Sequence, residues 1–288
     1  MSETIAVLIP TRNRRVLLER ALMSVFAQTE KADEVVVVND GSTDDTAEFL
    51  DSLKSQYPTL VVLYTDAKGV NAARNLGTKS IHSDWIVWLD DDDELLDSAL
   101  QTIRKNIAGL SDDIAVAYFN TRIRSKEGEF IGGYKFSENE ESYMPTYAET
   151  LFKTKLQGDC KQVIRKSMFG TPDNFFPENV NGFESFHLNR LRKKGIKFIY
   201  FKDQTTLIHQ EHDNRLSHMA SLKDPEKFYD MNRTMLMEHY SVYRTNPQKL
   251  SEMYLHLAKG AFRLKKLAVF KYTFLALISR FYKAEAER

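Results

Sequence analysis

The chain has 288 residues, enough to bury a full core in one large domain or in one domain with an extension. Lysine plus arginine and aspartate plus glutamate number 40 each, so no global charge draws the protein to nucleic acid or any other polyanion. The one cysteine, Cys160, excludes internal disulfides and thiolate metal clusters, suits a reducing compartment, and sits in no catalytic-cysteine motif, so it reads as a packed small residue.

The amino terminus, Met1-Ser2-Glu3-Thr4-Ile5, has neither a basic region nor a long apolar core, so no signal peptide is expected and a cytoplasmic protein is. Ile5 to Ile9 reads as a strand, Arg15 to Gln28 as an amphipathic helix, Glu34 to Val38 as a strand and Thr43 to Gln56 as a helix. Leu60 to Tyr64, Gly69 to Ile81, Trp85 to Leu89 and Asp97 to Ile107 continue the alternation of strand and helix. Repeated strand-helix-strand units predict an α/β architecture, a mostly parallel central sheet flanked by helices on both faces. Ile114 to Arg124 predicts a further strand, and Ser125 to Tyr147, rich in Gly, Ser and Glu, a hairpin or a mobile loop. Tyr147 to Lys155 and Glu184 to Lys194 read as helices and Lys197 to Phe201 as a late strand. Beyond about residue 220 the period is helical nearly to the end, which predicts a C-terminal helical extension. Its longest apolar stretch, Leu267 to Ser279, contains Lys271 and is too short to span a bilayer.

The turns carry the chemistry. Four consecutive aspartates, Asp90 to Asp93, with Glu94 behind them, end the apolar run Trp85 to Leu89. Mutual repulsion makes such a cluster unfavourable without a positive partner, and hard divalent cations prefer carboxylate oxygen, so the cluster is a candidate metal site. Acid runs also serve as solvated loops and helix caps, a role that Asp93 or Asp97 suits. Position favours a site, because ligands in open α/β sheets bind beyond the carboxyl ends of the strands. Two other strands end similarly, in Pro10-Thr11-Arg12-Asn13 and in Asn39-Asp40-Gly41-Ser42-Thr43, where Ser42 or Thr43 is placed to cap a helix. Neither a P-loop nor a GxGxxG sequence is present, so a bound diphosphate would rely on the metal and on a cation such as Arg74 in Lys68-Gly69-Val70-Asn71-Ala72-Ala73-Arg74-Asn75-Leu76-Gly77.

Ile9-Pro10-Thr11-Arg12-Asn13-Arg14, Val37 to Asp44, Ala73-Arg74-Asn75-Leu76-Gly77 and Leu89 to Asp93 together resemble family 2 glycosyltransferases of the bacterial surface-polysaccharide type. The resemblance spans roughly residues 3 to 215, and the order and spacing of four motifs make it specific. It implies the GT-A (nucleotide-diphospho-sugar transferase) fold, a nucleotide-diphosphate sugar donor, commonly a UDP sugar, and inversion at the anomeric carbon. It implies a glycosyltransferase domain over 1–218, with a nucleotide-sugar half at 1–120 and an acceptor half at 121–218, and an extension over 219–288. By the same resemblance Pro10, Thr11, Arg12 and Asn13 line the nucleotide, Thr11 and Asp40 contact the uracil, and Arg74 lies near the base or diphosphate. Asp90 would hold the ribose with Asp91 beside it, and Asp92 would coordinate Mn²⁺ or Mg²⁺ as the last residue of a D-x-D motif. Four identical residues blur the register, so Asp91 or Asp93 is open to either role.

Direct inversion needs a carboxylate to take the proton of the attacking hydroxyl. In the family this is usually the Asp of a Glu-Asp pair ahead of a basic helix that ends in Gly. Matching Arg190 and Gly195 to that helix sets Phe183 and Glu184 at the pair, which implies Glu184 as the base; an alternative register puts Ser185 there, Asp159 and Glu178 are the next candidates, and Glu184 would otherwise cap the helix. The segment Leu207 to Ser217 resembles the family's closing segment, by which His212, rather than His209, approaches the metal or diphosphate.

From Lys259 to Arg288 eight basic residues face only Glu285 and Glu287 amid abundant apolar side chains. That suits a helix on the inner face of an anionic cytoplasmic membrane, consistent with a saccharide or lipid-linked acceptor, or else a helix packed on the domain or in a homodimer. Two other classes compete: a phosphoryl-transfer enzyme, since an apolar strand ending in D-x-D also occurs in haloacid-dehalogenase phosphatases, and a non-catalytic nucleotide-sugar-binding protein. The former need Thr or Val where Glu94 stands.

Overall fold

The computed structural model describes residues 3–153, 155–171, 175–178, 184–210 and 225–280. The chain divides into two compact units, residues 1–147 with 153–212, and 148–152 with 213–288. The expected boundary at 218/219 lies outside the described residues. The expected division at 120/121 falls inside one continuous strand, Ile114–Ser125.

In the first unit the strands are β1 (Ile5–Thr11), β2 (Glu34–Asp40), β3 (Leu60–Thr65), β4 (Trp85–Trp88), β5 (Glu94–Leu95), β6 (Ile114–Ser125), β7 (Gly128–Tyr134), β8 (Ser142–Tyr143), β9 (Leu156–Gln157), β10 (Lys161–Arg165) and β11 (Lys197–His209). The helices are α1 (Arg15–Phe26), α2 (Thr46–Leu53), α3 (Val70–Ser80), α4 (Ala99–Ile107) and, after α5 (Tyr147–Phe152), α6 (Glu184–Lys193). Strand order is β3-β2-β1-β4-β10-β6-β11-β5. The first four strands are parallel, as the strand-helix alternation requires. The sheet as a whole is mixed rather than mostly parallel, because β10 enters antiparallel between β4 and β6.

Continuous apolar runs make β1, β2 and β4 two-sided strands. Ile5, Val7, Ile9, Val35, Val37, Trp85 and Val87 pack with Leu18, Leu22 and Val25 of α1, Leu50 of α2, and Leu100 and Ile103 of α4. The alternate residues Ala6, Leu8, Val36, Val38, Ile86 and Trp88 pack with Ala73 of α3 and Leu188 and Leu191 of α6. Period-2 alternation thus covers both faces, and every β1 residue is buried. Helix α3 lies tight against the sheet at Gly77, where a Cβ would stand 2.2 Å from Leu8 Cδ1. Gly41 turns the chain at φ +68° after β2, where a Cβ would sit 2.8 Å from Ala67 N.

Of the two alternatives for Ser125 to Tyr147 the structure takes the hairpin, β6 with β7, followed by β8. The late strand, expected to stop at Phe201, runs on to His209: the polar residues Lys202, Asp203 and Gln204 sit at register shifts against β6, and pairing resumes beyond them.

The second unit contains α5 residues 148–152 with α7 (Pro225–Glu238), α8 (Tyr240–Tyr243), α9 (Pro247–Arg263) and α10 (Ala268–Ser279). Asn246 caps α9 by accepting from Lys249 N at 3.1 Å, with Pro247 at the first helical position. Leu236, Tyr243, Leu250, Tyr254, Leu257 and Ala276 are buried. Among the described residues no helix is long and apolar enough to cross a membrane.

Candidate functional site

The polar ends of β1, β2 and β4 meet on one edge of the sheet, since all three strands are parallel neighbours. Beyond β4 the chain turns tightly, Asp93 N donating to Asp90 O at 3.1 Å, and the aspartates then diverge. One carboxylate oxygen from each of Asp90, Asp92 and Asp93 lies within 4.8 Å of the other two. Asp91 is outside this cluster. Its buried carboxylate accepts from Thr11 Oγ1 at 2.7 Å and from Arg14 Nη1 at 2.7 Å.

Each clustered carboxylate is paired with a cation from a different element. Arg74 of α3 donates to Asp90 Oδ1 at 2.8 Å, Arg14 ahead of α1 to Asp92 Oδ2 at 2.7 Å, and Lys161 of β10 to Asp93 Oδ2 at 3.3 Å. Among the described residues the second oxygen of each carboxylate takes no bond. Half of the Asp90 side chain and 28% of that of Asp92 remain exposed, whereas Asp93 is buried, so the cluster opens to solvent on one side only.

The electrostatics follow. Burial pushes the Asp91 carboxyl up to about 7 against the pull of Arg14 and Thr11, with Asp92 and Asp90 adding to the rise. Burial likewise pushes Asp93 up to about 7, with Lys161 opposing and Asp90 and Asp92 reinforcing. At Asp90 desolvation alone would raise the carboxyl, but Arg74, Lys161 and Arg14 outweigh it and hold it below the ordinary value. Arg14 shows the converse, desolvation being outweighed by Asp91, Asp92 and Asp90, so it stays charged.

Helix α1 braces the exit of the loop. Arg20 donates to Asp92 O at 2.7 Å and faces Glu94 Oε1 at 3.3 Å, Ser24 Oγ accepts from Leu95 N at 2.9 Å, and Gln28 donates to Leu96 O at 2.8 Å. His209, at the end of β11, lies 2.6 Å from the same Glu94 oxygen, and β5 pairs with β11 there. Asp93 and Asp97 therefore do not cap α4, which starts after Ser98 with no side-chain cap. At α2 neither Ser42 nor Thr43 caps: the cap position is Asp45, with no side-chain cap bond, and Asp44 Oδ1 just ahead of it accepts from Thr46 N at 3.2 Å and Thr46 Oγ1 at 2.6 Å.

The other strand ends are equally organised. Pro10 is buried in β1, the Arg12 side chain is exposed, and Asn13, at φ 52°, accepts from Thr43 N at 2.6 Å while its own N donates to Ser42 Oγ at 2.9 Å. Thr11 gives its hydroxyl to Asp91. Both Asp40 oxygens accept backbone amides, Lys68 N and Gly69 N at 2.8 Å each, so this carboxylate fixes the entry to α3. Arg74 is buried, its guanidinium 5.4 Å from the Trp88 ring centroid.

Helix α3 also grips a distant segment. The Asn75 side chain pairs with both backbone groups of Phe176, at 2.8 and 3.0 Å, and donates to Glu178 Oε1 at 3.2 Å, while Asn71 donates to Pro177 O at 3.2 Å. Phe176 in turn packs on Trp88 and on His187 of α6, with ring centroids 4.8 and 4.6 Å apart. Glu184 opens α6, three residues before His187; its side chain, with that of Ser185, lies outside the described residues, as does His212. Asp159 is exposed, and burial pushes the Cys160 thiol up to about 12, which leaves it no thiolate character.

Arg14, Arg20, Lys161, Asn71 and Asn75 escaped the sequence reading. Arg14 stood inside a recognised motif but carries no spacing signature of its own, and Lys161 follows Asp93 by 68 residues with nothing to mark it. Replacing Arg14 by leucine leaves the buried Asp91 without its cation. Because Arg14 is itself one-third exposed, the expected loss is about 2–4 kcal/mol of unfolding free energy, read by urea denaturation. A loss below about 0.5 kcal/mol would mean that Thr11 alone supports Asp91.

The sequence model of a family described as glycosyl transferase family 2 matches residues 6–170. Over 130 residues the chain is 31% identical to the glycosyltransferase GlyA of Streptococcus pneumoniae, covering 45% of this chain and 18% of that protein. Over 170 residues it is 31% identical to the GalNAc(5)-diNAcBac-PP-undecaprenol beta-1,3-glucosyltransferase of Campylobacter jejuni, covering 57% of this chain and 52% of that one. The chain thus spans about half of the latter relative and a smaller part of the former. Among solved structures, S. aureus TarS 1-349 in complex with UDP-GlcNAc superposes with a TM-score of 0.65 at 20% identity, covering 95% of this chain and 79% of that one. The mannosyltransferase PcManGT from Pyrobaculum calidifontis in complex with GDP-Man and Mn²⁺ gives 0.59 at 16% identity, covering 99% and 89%. These likenesses establish the fold.

Proposed function

Because the chain belongs to glycosyl transferase family 2, we propose that it moves a sugar from a nucleotide-diphosphate donor, a UDP sugar, to a saccharide or lipid-linked saccharide acceptor, with inversion by direct displacement. The observation that carries this reading is the group of three carboxylates within 4.8 Å, beside the buried cation Arg74, on the edge where β1, β2 and β4 end. The relatives support it by what they are named for: one acts on an undecaprenol diphosphate-linked glycan, and two structural neighbours hold UDP-GlcNAc or GDP-Man with Mn²⁺.

The donor set fits a hard divalent cation. Asp90, Asp92 and Asp93 offer oxygen alone, each keeps one unbonded carboxylate oxygen, and the open side leaves room for water or phosphate oxygens. Mn²⁺ or Mg²⁺ held by these carboxylates would supply positive charge to offset that which builds on the diphosphate as it leaves. Asp92, with His212 nearby in sequence to β11, is the favoured ligand, and Asp90 is assigned to the ribose. Arg74 faces the diphosphate from a fixed, buried position. Pro10, Thr11, Arg12 and Asn13 form the wall along the nucleoside. Each Asp40 oxygen accepts one amide and retains a second acceptor site, enough for a uracil imide N–H. Asp91 supports this wall from behind through Thr11 and Arg14. Glu184 takes the proton of the acceptor hydroxyl as it attacks opposite the departing diphosphate. The reaction is assigned to the cytoplasm.

Calorimetry with a panel of UDP and GDP sugars, with Mn²⁺ and then with a chelator, tests this reading. A UDP sugar is expected to bind with Mn²⁺ and to weaken about 10–100-fold without it. Absence of binding by every donor in the presence of Mn²⁺ would overturn the proposal.

A further inference from the structure

In the second unit α9 and α10 form an antiparallel hairpin. Ser251, near the start of α9, donates to Ala276 O at 2.8 Å and accepts from Arg280 Nε at 3.2 Å, both at the far end of α10, and residues 264–267 make the turn. Buried Ala276 and Ser279 mark the inner face of α10. The outer face carries Leu267, Phe270, Phe274 and Leu277, spaced i, i+3, i+7 and i+10 and therefore on one stripe; they are 84, 73, 63 and 56% exposed. Phe262, at the end of α9, is 73% exposed as well. A soluble surface seldom leaves five large apolar side chains this open without an apolar neighbour to take them up.

Charge identifies the neighbour. Between Met253 and Arg280 there is no acidic residue. Lys259, Arg263, Lys265 and Lys271 are exposed and meet no carboxylate among the described residues, and they are interleaved in sequence with the exposed apolar side chains. A protein partner would have to be both acidic and apolar over this surface, whereas an anionic bilayer supplies both properties at one depth. Apolar side chains enter the acyl boundary while lysine and arginine reach the headgroups. Among the described residues no helix is long and apolar enough to cross a membrane, and the contact inferred for this face is interfacial.

We infer that the turn of the α9-α10 hairpin and the outer stripe of α10 bind the surface of an anionic lipid membrane, Phe262, Leu267, Phe270, Phe274 and Leu277 entering the interface and Arg263, Lys265 and Lys271 facing the headgroups. The inference goes beyond the proposed transfer and stands whichever sugar is moved.

Flotation of the full chain with vesicles of phosphatidylglycerol and phosphatidylcholine, against phosphatidylcholine alone, reads it directly. Binding is expected to the anionic vesicles only and to fall as salt is raised. Phe270→Ser with Phe274→Ser should weaken it at least about tenfold. Arg263→Glu with Lys271→Glu, at exposed sites that leave the fold intact, should weaken it by about twentyfold or more, each cation at an anionic surface being worth roughly fivefold. Donor binding measured on the same samples keeps failure of this inference distinct from failure of the catalytic reading. No flotation, equal flotation with neutral vesicles, or unchanged flotation of both double variants would overturn it. So would a dimer in light scattering that the phenylalanine variant dissolves while vesicles bind nothing, which would assign the stripe to a second copy of this chain.

Discussion

Asp92→Asn is expected to lower turnover about 10³-fold at saturating donor and Mn²⁺ while leaving the thermal midpoint within a few degrees. The substitution keeps the shape of the side chain and removes a charge from a position 28% exposed, so the core hardly notices it. Within the cluster the change is large. Asp92 gives one oxygen to Arg14, and its carboxylate belongs to the set whose ligand atoms lie within 4.8 Å of one another. An amide offers one neutral acceptor where a carboxylate offered two charged ones, so a hard cation loses much of its hold. Steady-state kinetics across a Mn²⁺ titration decides the matter. If Asp92→Asn retains turnover while Asp93→Asn abolishes it, the metal belongs to the buried carboxylate beside Lys161.

Glu184→Gln is expected to reduce transfer about 10²–10⁴-fold with donor affinity nearly unchanged, because glutamine cannot take a proton from the attacking hydroxyl. The structure ties α6 to α3 through the 176–178 segment, without any direct link in sequence. Asn71 and Asn75 of α3 hold residues 176–178, Phe176 packs on His187, and Glu184 opens the same helix. Transfer rate and donor dissociation constant, measured on the same preparation, separate a lost base from a lost binding group. Full transfer by Glu184→Gln would move the base elsewhere, with Glu178, held by Asn75, next in line.

The parallel half of the sheet was legible because its strands are unbroken apolar runs ending in polar turns, a pattern that local propensity and burial both favour. The same runs located the turns that carry Thr11, Asp40 and Asp90 on one edge. The balance of charge was not legible. Three cations from α3, from the residue ahead of α1 and from β10 converge on the aspartates only after folding, and lysine at position 161 looks no different from any surface lysine until the strand it opens is inserted beside β4. The register within the four aspartates was hidden for a related reason: identical residues differ only in which way the turn points them. One tight turn, Asp93 N to Asp90 O, sends Asp91 inward and leaves its three companions together. The long course of β11 failed in sequence because its polar middle reads as an end, while main-chain pairing with β6 carries it across.

Gly77 touches none of the groups that would meet a donor, yet it governs where they stand. Its bare Cα lets α3 settle onto Leu8 and Val38 of the sheet, and Arg74 lies one helical turn earlier on the same rod, between Asn71 and Asn75. A methyl group at position 77 would lift that rod and carry the guanidinium and both amide clamps with it, as a shim under one end of a beam displaces everything mounted along it. The placement of Arg74 against the aspartate turn, and of the 176–178 segment that Asn71 and Asn75 hold, is therefore set by an atom that the chain leaves out.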